Sequence, residues 1–87
     1  MAATSFFIEF LYHDNPVLAE VKSCCEENNI FYYDIVIRNK YLFTVTPAFE
    51  DKGIIWKVSF KNAYKQVDPV LIDIIGNEIE NQILQLN

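Results

Sequence analysis

Few side chains in this sequence have the type and spacing to do chemistry, and each has a plainer use beside the reactive one. Cys24 and Cys25 are adjacent, so a bond between them would close almost no loop and would strain the backbone. As free thiols they could serve as a nucleophile or redox centre. Nothing nearby in the sequence lowers a thiol pKa, and both fall on an apolar arc of the segment they belong to, where a thiol stays protonated and inert. They are read as reduced packing residues. His13, the single histidine, stands next to Asp14 where a first strand hands over to the next element, a place that suits a proton carrier near neutral pH. With no nucleophile, Gly-rich loop or second ligand to work with, it is read as a loop residue. Two cysteines and one histidine do not form a recognisable zinc set, and the acids lack the EF-hand pattern. No catalytic residue, metal or cofactor is therefore expected, and the chain is read as a non-enzyme.

Two charged sets remain. Asp68, Asp73, Glu78 and Glu80 have no basic companion nearby. They could dock on a basic partner, as an inhibitor or adaptor would, although Asp68 has a sufficient use as a helix cap and the others as a solvated face. Tyr32, Arg38, Thr44, Thr46, Lys57, Ser59 and Lys61 mix an aromatic ring with cations, as single-strand nucleic-acid platforms do. Glu9 and Asp34 share their face, and outward lysines commonly protect sheet edges. Nucleic-acid binding is the alternative function; a small enzyme with a site near His13 is another.

The elements that must position these groups emerge from apolar periodicity. Residues 6–12 alternate Phe6, Ile8, Phe10 and Tyr12 against Phe7, Glu9 and Leu11, which predicts a strand. Asn15-Pro16 reads as a helix start, and on a 100° wheel Val17, Leu18, Val21, Cys24, Cys25 and Asn28 share one arc of a helix over 16–28. Phe31, Tyr33, Ile35 and Ile37 predict a second strand and Tyr41, Phe43 and Val45 a third. An Arg38-Asn39-Lys40 loop would align Ile37 with Tyr41, Ile35 with Phe43 and Tyr33 with Val45. Pro47 is expected to end that strand and 48–53 to form a loop, with Phe49 folding back onto the core. Ile54, Trp56, Val58 and Phe60 predict a fourth strand with these four inside. Asp68-Pro69 starts a last helix with a stripe of Leu71, Ile72, Ile75, Ile79, Ile83 and Leu86; Gly76 within it is either a flaw or a point of close backbone approach.

The fold class expected is α+β: a two-layer α/β sandwich in β-α-β-β-β-α order, with two helices on a four-stranded, mostly antiparallel sheet. That order is similar to several small α/β folds, double-stranded-RNA-binding domains with an added first strand among them. Their basic helix-end motif is absent, since the last helix begins Asp68-Pro69-Val70-Leu71, and no functional residue is carried over.

Composition bounds the reading. Eighty-seven residues, 52% hydrophobic and 22% charged, with two Gly and three Pro, suit one compact domain over 1–87. No apolar run approaches the roughly 18–20 residues of a membrane span. Met1 to Ser5 carries no basic residue and Glu9 interrupts the apolar run after it, so no secretory signal is expected and a cytoplasmic location is. A net charge of −5 argues against bulk attraction to nucleic acid or anionic lipid. The charge is unevenly spread: residues 38–65 hold six of the seven cations and two of the twelve acids.

Apolar side chains are left over. Phe7, Leu11, Val36, Leu42 and Ile55 are out of phase with the core, and Val70 and Ile74 lie off the last helix's stripe. Monomers rarely expose such sets. The function expected is a small, non-catalytic protein-interaction module of adaptor or inhibitor type. Its partner would be a second copy, making a homodimer through the apolar sheet surface, or another protein, with no small-molecule ligand evident.

Overall fold

The structure is a computed structural model that describes residues 5–27, 30–61 and 66–84, with the side chains of 24–27, 61 and 84 left aside. Five strands, β1 (Ser5–Tyr12), β2 (Asn15–Glu27), β3 (Ile30–Ile37), β4 (Lys40–Glu50) and β5 (Gly53–Lys61), precede one helix, α1 (Pro69–Leu84). The strands form one antiparallel meander in the order β1-β2-β3-β4-β5. The helix packs on both edge strands, β1 and β5, and on β4. One helix reaches both edges because the sheet curls into a half-barrel, and α1 lies across the open side.

The expected two-layer sandwich with two helices is therefore wrong, and the error lies in one element. The segment from Asn15, expected as a helix, is strand β2, paired to β1 over 15–22 and to β3 from Glu20 onward. His13 and Asp14 form a two-residue turn with φ of 50° and 64°, the positive values that a tight hairpin matching the strand twist requires. Apolar residues at 17, 18 and 21 satisfy a helical period, but 17, 19 and 21 also satisfy a period of two. Two flanking strands offering hydrogen bonds along the segment select the second. Pro16 is accommodated because it pairs with Leu11, one step from the closing pair Tyr12–Asn15. At that position the nitrogen points away from β1, on the side where β3 has not begun. Cys24 and Cys25 belong to β2; the reading of their thiols as buried lies outside the described side chains.

Three register shifts interrupt the ladders, one at Cys24 between β2 and β3 and two more that reset the sides of β4 and β5. Arg38 and Asn39, with φ of 55° and 63°, make a two-residue turn that pairs Ile37 with Lys40 and Val36 with Tyr41. A register shift at Leu42 then restores the expected pairs Ile35–Phe43 and Tyr33–Val45. Tyr41 consequently faces outward and Leu42 packs against the core, the reverse of the expected phase. The shift at Ser59 lies between the pairs Val45–Val58 and Thr44–Phe60. It moves Phe60 out of its expected core place to 67% exposure. An extra residue inverts the alternation of everything beyond it. β4 also runs through Pro47 to Glu50, with Asp51 and Lys52 as its turn and Gly53 at φ 129°. Pro47 pairs with Trp56 at a non-hydrogen-bonded position, counted from the closing pair Glu50–Gly53, so it costs no bond to β5. Its nitrogen faces β3, whose pairing with β4 stops at Tyr33–Val45 and whose Phe31 carbonyl accepts the Thr46 hydroxyl instead.

The interior holds Ile8, Phe10, Ala19, Val21, Tyr33, Ile35, Phe43, Val45 and Trp56 from the sheet and Ile75 and Ile79 from α1. Apart from Ala19, each was expected on an inward face. The start of α1 is also as expected: Asp68 Oδ1 accepts the Val70 amide at 3.0 Å, satisfying a free helix-end donor. Its other oxygen accepts the Tyr12 hydroxyl at 2.6 Å, which ties the helix to the end of β1. Gly76 is a point of close approach. A Cβ there would overlap the pyrrole side of the Trp56 indole, so only glycine lets the helix lie this close to β5.

Candidate functional site

An antiparallel meander collects alternate strand ends at each end of a half-barrel. At one end meet the start of β1 (Phe6), the end of β2 (Ser23), the start of β3 (Phe31, Tyr33), the end of β4 (Pro47, Phe49), the start of β5 (Ile54, Trp56) and the second half of α1 (Glu80, Ile83). These residues line a cavity of about 420 Å³. Apolar cavities with a few placed polar groups are the usual form of a binding site, and barrel mouths are a common place for them.

The wall is aromatic on most sides. Tyr33 and Trp56 are buried at its floor, ring centroids 5.9 Å apart and planes tilted by 56°. Burial pushes the Tyr33 phenol above its ordinary pKa, so it is a neutral hydroxyl throughout the physiological range. Phe31 and Ile83 are exposed at the rim, and Phe49 is 77% exposed. Rather than folding back into the core as expected, Phe49 stands over the opening. One carboxylate belongs to this wall. Glu80 Oε2 accepts the Trp56 Nε1 proton at 2.8 Å, which fixes the acid against the indole. Among the described residues no cation pairs with Glu80.

Sequence reasoning places an interface on the outer face of the sheet (Phe7, Leu11, Val36, Leu42, Ile55) and on an off-stripe patch of the last helix (Val70, Ile74), and these seven residues divide. Phe7, Leu11, Ile55 and Val70 are exposed; Val36 is half-buried; Leu42 and Ile74 pack against the core. Phe7 and Leu11 on β1 join Leu18 on β2, diagonal to both, and all three are more than half exposed. The helical wheel puts Leu18 on an inner arc, and the strand turns it outward. Across the sheet, β5 presents Ile55, Lys57 and Phe60 outward.

The set that resembles a nucleic-acid platform is partly used by the fold. Thr44 is buried, and its hydroxyl donates to Asp34 Oδ1 at 2.6 Å. Its single proton is then spent, so the Tyr41 hydroxyl 2.6 Å away donates to it. The result is a relay Tyr41–Thr44–Asp34. Thr46 donates to the Phe31 carbonyl at 2.8 Å. His13 sits exposed on a hairpin tip, its ring 4.2 Å from that of Tyr12. Among the described residues no group of three or more His, Cys, Asp or Glu could hold a metal ion, and no helix is long and apolar enough to cross a membrane.

The mouth itself is missed by sequence reasoning as a site. Phe31, Tyr33, Ile54 and Trp56 are each assignable to inward faces, but as parts of a closed core; that they meet at one open end depends on β2 being a strand. No family model matches the chain, and neither a curated protein nor a solved structure matches it.

Proposed function

We propose that this chain is a small, non-catalytic protein-interaction module that takes an anchor side chain of another protein into the mouth of its half-barrel. The observation that carries the reading is the continuity of the mouth with its rim: an aromatic cavity of about 420 Å³ opens between exposed Phe31, Phe49 and Ile83. A small ligand would fill the cavity and leave the rim wet, whereas a partner segment covers both. A few anchor side chains, Trp, Tyr and Arg above all, seated in desolvated pockets are the usual source of affinity in such docking.

A photo-crosslinking residue placed at position 49 tests the reading. A discrete partner should crosslink from position 49 and be lost with Ile83→Asp, and the same crosslinker at Ser59, away from the mouth, should not capture it. Equal capture from both positions, or indifference to Ile83→Asp, would overturn it.

Self-association is a second reading, favoured by the outer faces of the edge strands. β1 presents Phe7-Glu9-Leu11 and β5 presents Ile55-Lys57-Phe60, an apolar-charged-apolar row with opposite signs. A contact between β1 of one copy and β5 of the next would be head-to-tail, giving a ring or a chain. Sedimentation across the micromolar range decides it. Association should be lost in Lys57→Glu and return in Glu9→Lys/Lys57→Glu; a strict monomer at high concentration removes this reading.

A further inference from the structure

The mouth has a sign as well as a shape. Among the described residues lining it, Glu80 is the only carboxylate or cation, and its bond to Trp56 holds it at the wall. The last turn of α1 carries no basic residue, and Ile83 of that turn also lines the mouth. The partial negative charge of that turn's carbonyls therefore lies at the same end of the molecule, and among the described residues no cation of the helix offsets it. The rest of the lining includes the aromatic rings of Phe6, Phe31, Tyr33, Phe49 and Trp56, whose faces carry negative quadrupole potential. Carboxylate, helix end and ring faces all favour the same charge in a cavity that is otherwise apolar.

We infer that the anchor received by the mouth is cationic: a Lys or Arg side chain of the partner, flanked by apolar residues that cover Phe31, Phe49 and Ile83. This rests on the docking reading above and names the chemistry of its anchor. The alkyl stem of such a side chain suits the aromatic wall, while its charged head meets Glu80. Trp56 makes the fit selective, because its Nε1 proton holds Oε2 and fixes where the carboxylate lies.

The test uses the whole chain and three small probes of one shape: 4-phenylbutylammonium, 4-phenylbutanol and 4-phenylbutyrate. Trp56 is the only tryptophan and lines the cavity, so its emission reports occupancy directly. The ammonium should bind about fivefold more tightly than the alcohol, as a carboxylate and ring faces together discriminate, and the carboxylate probe should bind most weakly. Glu80→Gln removes the charge while its amide oxygen can still accept the Trp56 proton. In that variant the ammonium and alcohol should bind within about twofold of each other. Equal or tighter binding of the alcohol or the carboxylate probe to the natural chain, or no saturable ammonium signal, would overturn the inference. A preference for the ammonium without capture from position 49 would fail the docking reading alone; capture without that preference would fail this one alone.

Discussion

Gly76→Ala should destabilise this protein, against the ordinary rule for helices. In an exposed helix interior the change is worth about 1 kcal/mol in favour of alanine. Here the added methyl would overlap the Trp56 ring, where carbon atoms need roughly 3.5 Å or more. The ring cannot yield freely. It packs beside Tyr33 and donates to Glu80, and a hydrogen bond to a charged group is worth about 1.5–3 kcal/mol. If the helix moves instead, Ile75 and Ile79 withdraw from the core. Overpacking typically costs about 1–3 kcal/mol, and adding partial loss of the Trp56–Glu80 bond against the propensity gain leaves a net loss of about 2 kcal/mol. For a chain of 87 residues that lowers Tm by about 10 °C. Urea unfolding followed by far-UV circular dichroism measures it. In a Trp56→Ala background the overlap is gone, so the same Gly76→Ala change should stabilise by about 1 kcal/mol; an osmolyte such as sucrose keeps that weakened pair folded for measurement. If Gly76→Ala stabilises the natural chain, the close approach of helix and indole is refuted.

Three further outcomes are expected. Thr44→Val breaks the relay to half-buried Asp34 and should cost about 1–3 kcal/mol in urea unfolding; a neutral result would mean that the Tyr41–Thr44–Asp34 chain contributes nothing to the folded state. Phe60→Ser should change stability by no more than about 0.5 kcal/mol, since Phe60 is on the surface, while Phe43→Ala should cost about 3–5 kcal/mol; comparable losses would place Phe60 back inside and remove the bulge at Ser59. The pH profile of stability should narrow at both ends because of Tyr12 and Asp68. The hydrogen bond from Tyr12, helped by the Val70 amide, holds the Asp68 pKa below its ordinary value, so its contribution is present above about pH 4 and is lost as pH falls through the lowered folded value. The same bond to Asp68, with burial, raises the Tyr12 pKa, so that contribution is present below about pH 10 and is lost as pH rises through the raised folded value. Tyr12→Phe should flatten both arms in chemical unfolding, and unchanged arms would contradict the pairing.

Much of this architecture is legible in the sequence because it rests on local rules. Alternation in β1, β3, β4 and β5 names the inward residues up to the bulges. Asp68-Pro69 announces a helix whose cap is made by that aspartate, and the stripe through Ile75 and Ile79 finds the core. Gly76 signals either a flaw or a close approach, and the position of Trp56 decides for the approach.

What tertiary structure alone decided was the state of residues 15–27, the phase of Tyr41, Leu42 and Phe60, and the mouth. Val17 and Val21 fit a helix and a strand equally well until β1 and β3 supply ladder partners on either side. A bulge leaves no mark in the alternation upstream of it, because it is fixed by what the neighbouring strand presents. The mouth joins residues as distant as Phe6 and Ile83, so it exists only once the sheet curls and α1 spans its edges. Composition and periodicity settled most of the side chains that avoid water; the cost of leaving backbone donors and acceptors unpaired settled which partner strands they meet, and with that, which apolar side chains stay exposed.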